Sequence, residues 1–170
     1  MVTDVVGVGG LIINAVAFIA LLSQVYLLRK QIRSTDEAFA TEQVRSRKQS
    51  TLEFMATTVE RRQELSRQLP VEVDLDAGQR VLDAWDHDEE VRRPIYEYLD
   101  FYEMLATGVN SGIFDHDVVD RASGTRIMQV FASYQGLIKK LREEQARPQM
   151  YEELQTLAAA LEHKRTAALR

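Results

Sequence analysis

The 170-residue chain has no cysteine, only three prolines, three histidines and a single tryptophan. Without cysteine there is neither a disulfide framework nor a thiolate metal site. No glycine-rich phosphate loop follows a strand pattern, and no serine has an evident histidine partner, so no catalytic signature is present. The three prolines, Pro70, Pro94 and Pro148, punctuate a chain that otherwise reads as helix.

Charge is the other scarce commodity, and it is missing in one place. Between Asp4 and Arg29 the twenty-four residues Val5–Leu28 carry none. A helix rising ~1.5 Å per residue would make this run roughly 36 Å long, against ~30 Å for a bilayer's hydrocarbon core. It stops at Arg29-Lys30-Gln31-Ile32-Arg33. The pattern predicts a single-pass transmembrane anchor over residues 1–33, closed by a basic stop-transfer flank. A secretory signal peptide would have a basic start, a shorter apolar core and a small-residue cleavage site; here the run is long and ends on the bulky Val25-Tyr26-Leu27-Leu28. Basic residues follow the run and none precedes it, which directs the C-terminal body to the cytoplasm. Arg29, Lys30 and Arg33 are then the expected lipid-headgroup contacts, with Tyr26 at the same depth.

Gly7, Gly10, Asn14, Ala17, Leu21, Gln24 and Leu28 recur at steps of three and four, which is one helical stripe. Small residues let helices approach closely in lipid, and Asn14 and Gln24 can hydrogen-bond across the contact at ~0.5–2 kcal/mol each. The stripe is the expected self-association seam of the membrane helix.

The remaining charge is split. Residues 29–69 hold nine Lys/Arg and six Asp/Glu, whereas residues 70–170 hold twelve and nineteen. A basic segment beside the bilayer suits anionic lipid, and an acidic head argues against nucleic acid as a partner. Ser34-Thr35-Asp36-Glu37 forms a candidate capping box that would open a helical stalk over 34–69, unless the membrane helix runs straight through it. From Leu52 the stalk becomes amphipathic, with Leu52, Met55 and Val59 on one stripe and Phe54 and Leu65 beside it.

Residues 70–170 read as a cytoplasmic bundle of about four helices. Val71–Asp76 alternates apolar and acidic residues and reads as an extended connection, capped by Asp74 or Asp76 before a short helix carrying Val81, Leu82 and Trp85; strand addition to a partner is the alternative. Ile95–Leu105 is apolar on most sides, so it should form the buried centre. Pro94 either starts that helix or lies after a first turn opened by Asp86 or Asp88. Glu103 falls on its apolar face, and a buried carboxylate requires a partner; Arg126 or Arg121 is the expected one, in a structural ion pair. Asp115 should cap a short helix, and a longer amphipathic helix should begin after Gly124 and end before Pro148. The last helix carries Tyr151, Leu154, Leu157, Ala158 and Leu161. The triplets Asp86-His87-Asp88 and Asp115-His116-Asp117 contain metal-ligand residue types, but neighbours on a helix point ~100° apart, so they read as helix caps. The fold class is therefore all-α, with no catalytic residue, cofactor or metal site expected.

The segments LDFYEMLATGVNSGIFDHDVVD (Leu99–Asp120), GTRIMQVF and RPQMYEEL resemble a bacterial domain-of-unknown-function family. Phe101-Tyr102-Glu103, Ala106-Thr107-Gly108, Asp115 and Arg126 match its pattern; residues 70–80 and Pro94 depart from it. The resemblance implies an N-terminal helix in the bacterial inner membrane, a basic juxtamembrane run and a helical cytoplasmic domain, and it brings no activity. Two functions follow as expectations. One is a membrane-tethered scaffold or regulator that recruits an unidentified protein through an aromatic surface around Tyr96, Tyr98 and Tyr102. The other is a small effector of a stress or phage-defence type that assembles through the membrane helix. A metal-dependent enzyme is a distant third.

Overall fold

The computed structural model describes the backbone of residues 2–69 and 77–168, and within those spans the side chains from Ser23 onward except Val25 and Ser34. All regular structure among the described residues is helical, as expected: α1 (Val2–Gln68), α2 (Ala77–His87), α3 (Glu89–Asn110), α4 (His116–Glu144) and α5 (Glu152–Ala168). Val71–Asp76, with its expected cap, lies outside the described residues.

The chain divides into two units, residues 1–45 and 46–170. The first is helical throughout its described backbone, and Ser34–Glu37 opens no new helix there. Every described side chain from Ser23 to Arg45 is exposed, including Tyr26 (70%) and Phe39 (65%). Among the described residues no helix is long and apolar enough to cross a membrane; the side chains of residues 2–22, most of the uncharged run, lie outside that description.

The second unit begins inside the expected stalk. Thr51, Leu65 and Leu69 are buried, with Phe54, Thr58 and Arg62 partly so. Their steps of three and four form one stripe, and it is this stripe that faces the body. Leu52, expected on the apolar face, is 57% exposed. Thr51 is buried because both valences of its hydroxyl are used: Oγ1 donates to the Arg47 carbonyl (2.7 Å) and accepts from the Asp115 N–H (2.8 Å).

Within this unit α3 packs on α5, and α4 packs on both α2 and α5. Ile95, Leu99 and Leu105 of α3, Ile127, Leu137 and Leu141 of α4 and Leu154, Leu157 and Leu161 of α5 meet in one core. Asp88 caps α3 by accepting from the Glu90 N–H (2.9 Å), so Pro94 sits inside the helix rather than at its start. Asp115 caps α4 by accepting from the Val118 N–H (3.0 Å). Two helices were expected after Asp115, but α4 runs unbroken through Gly124, which is buried. A helical glycine costs about 1 kcal/mol against alanine, which packing of the buried face offsets.

Where α3 turns into α4, Gly112 takes φ +74, a conformation that favours glycine. A side chain at Gly108 would overlap the Phe114 ring, which lies across that helix end. Charge pairs fasten the periphery. Asp86 of α2 pairs with Lys140 of α4, and Lys164 of α5 holds Asp117 (3.3 Å) and Asp120 (2.8 Å) of α4. The Lys164 ammonium keeps both carboxyls below the ordinary aspartate range.

The end of α4 is a Schellman turn. The Arg147 N–H returns to the Arg142 carbonyl (3.1 Å) and the Ala146 N–H to the Glu143 carbonyl (3.4 Å), with Pro148 immediately beyond. The left-handed position is filled by Ala146, φ +52, where glycine would carry no Cβ penalty. Ala146→Gly should therefore stabilise the protein by about 0.5–1 kcal/mol in denaturant unfolding.

Candidate docking groove and the anchoring of α5

A carboxylate of α3 reaches the start of α5. Glu103 Oε2 accepts from the Leu154 N–H (2.8 Å), and Oε1 accepts from the Glu153 N–H (3.3 Å). These amides belong to the first turn of α5, which has no partner for them within the helix. Glu103 thus caps α5 from another helix. One turn earlier, Asp100 accepts from the Tyr151 hydroxyl (3.0 Å); further along, Asn110 donates to Glu153 Oε2 (2.6 Å). Tyr151 is buried with φ +59, a costly conformation for a bulky residue. The carboxylates on either side of it hold it there.

The expected Glu103–Arg126 ion pair is corrected. Neither Arg126 nor Arg121 pairs with Glu103; Arg126 instead makes a long contact with Ser66 Oγ (3.4 Å). The demand that a half-buried carboxylate be satisfied was right, and backbone donors meet it. Burial still outweighs those donors and holds the Glu103 carboxyl above its ordinary range.

The expected aromatic docking surface is corrected too. Tyr98 and Tyr102 are 0% and 1% exposed. Tyr96 is partly buried, its ring edge-on to Trp85 and its hydroxyl accepting from Gln145 Nε2 (2.8 Å). The uncovered apolar surface lies elsewhere. A groove of about 250 Å³ runs between α1 and α3, floored by Phe54, Leu65 and Phe101. Phe54 stacks on Phe101 (5.5 Å between centroids, 10° between planes) and lies 5.0 Å from Phe114. Met104, 59% exposed, forms one lip. Arg61 forms the other, bound by its Nε and second nitrogen to the two Glu97 oxygens (2.6 and 2.7 Å). An apolar floor with a charged rim is the anatomy of a protein-docking surface. A further concavity of about 860 Å³, bordered by α2, α4 and α5, is lined mostly by small and polar side chains.

Of the remaining expected sites, Gly7, Gly10, Asn14, Ala17 and Leu21 lie outside the residues whose side chains are described. Gln24 is exposed, as are Arg29, Lys30 and Arg33; Arg33 pairs with Glu37 (3.2 Å). Asp88 and Asp115 of the two triplets are caps, while Asp86 and Asp117 pair with lysines. Among the described residues no three His, Cys, Asp or Glu side chains gather as a metal site requires.

A family model described as Domain of unknown function (DUF4760) matches residues 11–161, and the chain belongs to that family. No curated protein and no solved structure matches it. Within this chain the residues that carry the family resemblance close the body: Phe101 stacks in the groove, Glu103 caps α5, Gly108 admits Phe114 and Asp115 caps α4.

Removing the α5 cap should be costly. Glu103→Ala should lower stability by about 1–2 kcal/mol in denaturant unfolding, and Glu103→Gln, which retains an acceptor oxygen, should lose less. Equal losses in the two variants would mean that the hydrogen bonds to Glu153 and Leu154 are not what the carboxylate supplies.

Proposed function

We propose that this DUF4760 protein is a membrane-anchored helical scaffold or regulator, without catalytic activity, that recruits a protein partner at the cytoplasmic face of a bacterial inner membrane. The observation that carries the reading is the uncharged Val5–Leu28 run ended by Arg29, Lys30 and Arg33. Support comes also from Tyr26, Leu27, Leu28 and Ile32, which are 54–70% exposed and gain a natural environment only against lipid or another chain. Arg29, Lys30 and Arg33 then contact anionic headgroups.

Recruitment falls to the α1–α3 groove. Its aromatic floor would receive an apolar side chain of the partner, and the Arg61 and Glu97 rim would fix orientation. A second reading, an oligomerising effector that perturbs the bilayer, is favoured by the small and amide-bearing stripe of Gly7, Gly10, Asn14, Ala17, Leu21 and Gln24. In both readings membrane lipids and a second copy of the chain are partners.

Two outcomes are expected. Full-length protein should remain in the membrane fraction after alkaline carbonate washing; release into the supernatant would remove the anchor. A photo-crosslinking residue at Met104 should capture one discrete partner in cells, whereas the same residue at exposed Gln68, outside the groove, should not. Identical patterns at the two positions would sink the groove as the recruiting surface.

A further inference from the structure

On α1, four positions on from Arg62, Ser66 faces α3 and α4 across a second, polar cavity of about 210 Å³. Its walls include Arg62 and Ser66 of α1, Tyr98 and Tyr102 of α3, and Ser123 and Arg126 of α4. Among the described residues no carboxylate lines it. Among the described residues neither Arg62 nor Arg126 has an acidic partner: Arg62 lies over the Phe101 ring (5.1 Å), and the Arg126 contact with Ser66 is 3.4 Å long. Ser123 is only 8% exposed, yet its hydroxyl makes no hydrogen bond among the described residues.

The phenols deepen the imbalance. Tyr98 and Tyr102 meet hydroxyl to hydroxyl at 3.5 Å, the outer limit of a hydrogen bond, and the buried Tyr134 hydroxyl behind them has no partner among the described residues. Burial raises the Tyr98 and Tyr134 phenols far above their ordinary range, so they stay protonated and remain donors. The cavity therefore gathers two guanidinium groups, two serine hydroxyls and two phenols with no anionic acceptor among them. An adjoining shelf shares Ser123 and Arg126 and adds Arg121, extending the positive surface outward.

We propose that this cavity binds an oxyanion, the phosphate group of a small phosphorylated molecule or of a lipid headgroup, held between Arg62 and Arg126 with Ser123 donating from below. Guanidinium forks match phosphate oxygens in pairs, and lone hydroxyl donors complete the shell. With a water's share of liquid at roughly 30 Å³, the cavity holds a phosphate and a few further atoms, so the remainder of a larger ligand would lie along the Arg121 shelf. Because Arg62 also borders the docking groove, its guanidinium is common to both surfaces. This site does not depend on the membrane reading.

The test uses the full chain in neutral detergent, titrated with inorganic phosphate and, separately, with glycerol 3-phosphate, at constant ionic strength set with chloride. Binding is followed by calorimetry and by the thermal unfolding midpoint. Saturable binding is expected, weakened about tenfold or more by Arg126→Gln and several-fold by Ser123→Ala, with Arg45→Gln as the unaffected charge control. Ser123→Ala removes one oxygen from a helix interior and keeps the proposal testable if Arg126→Gln fails to fold. A preference for glycerol 3-phosphate with no effect of phosphatidylglycerol added to the micelles assigns a small phosphorylated molecule as the source, and displacement of either ligand by that lipid assigns the headgroup. No saturable binding, or equal weakening by Arg45→Gln, overturns the proposal.

Discussion

The reach of Glu103 from α3 to the first turn of α5 is the constraint on which the folded body depends. A helix start leaves N–H groups without partners, and in a body this small a buried one is expensive. Because Glu103 supplies the acceptors, α5 can begin against α3 and lay Leu154, Leu157 and Leu161 into the core. The same contact lets Tyr151 hold a left-handed backbone, since its hydroxyl is fixed by Asp100 and its ring is buried. Specificity of packing thus comes from two carboxylates one turn apart on α3, and the apolar core supplies the bulk of the driving force.

On the opposite flank of α3, aromatic rings do the corresponding work. Phe54, Phe101 and Phe114 draw α1, α3 and the α3–α4 turn together, and Thr51 accepts from the Asp115 N–H where that turn ends. Burying Tyr98 and Tyr102 behind them consumes the aromatic surface and leaves Met104 and the outer edge of Phe101 uncovered. Groove and polar cavity are consequences of one arrangement: α1 crosses α3 on Leu65 and Phe54 and leaves a concavity on each side, one apolar and one lined with donors.

Much of this architecture was legible in the sequence, because helix periodicity and capping are local. Asp115 was readable as a cap from its position before an apolar periodic run, the α3 cap was narrowed to Asp86 or Asp88, and the burial of Ile95–Leu105 followed from its apolarity. What escaped were features in which polar residues do core work. The α1 stripe was obscured because Thr51, Thr58 and Arg62 occupy three of its positions, and a hydroxyl satisfied by distant backbone looks, in sequence, like a solvated one. Glu103 reads in sequence as a carboxylate in need of a partner, but backbone amides have no side-chain signature, so the pattern points to an arginine instead. The three tyrosines of α3 carry hydroxyls that suggest exposure; only the fold shows two of them beneath α1 and α4. The break expected at Gly124 was absent because packing on both sides overrides local propensity.

The proposed topology is the claim on which the functional account turns, and the absence of native cysteine makes it directly measurable. Single substitutions Thr3→Cys and Ser46→Cys would be made in the full chain, expressed in bacterial cells and treated with a membrane-impermeant maleimide before or after lysis. The account predicts that Thr3→Cys is labelled in cells with permeabilised outer membranes and an intact inner membrane, and that Ser46→Cys is labelled only after lysis. Labelling of both positions only after lysis would contradict a membrane-spanning helix, and the reverse pattern would place the folded body on the other side.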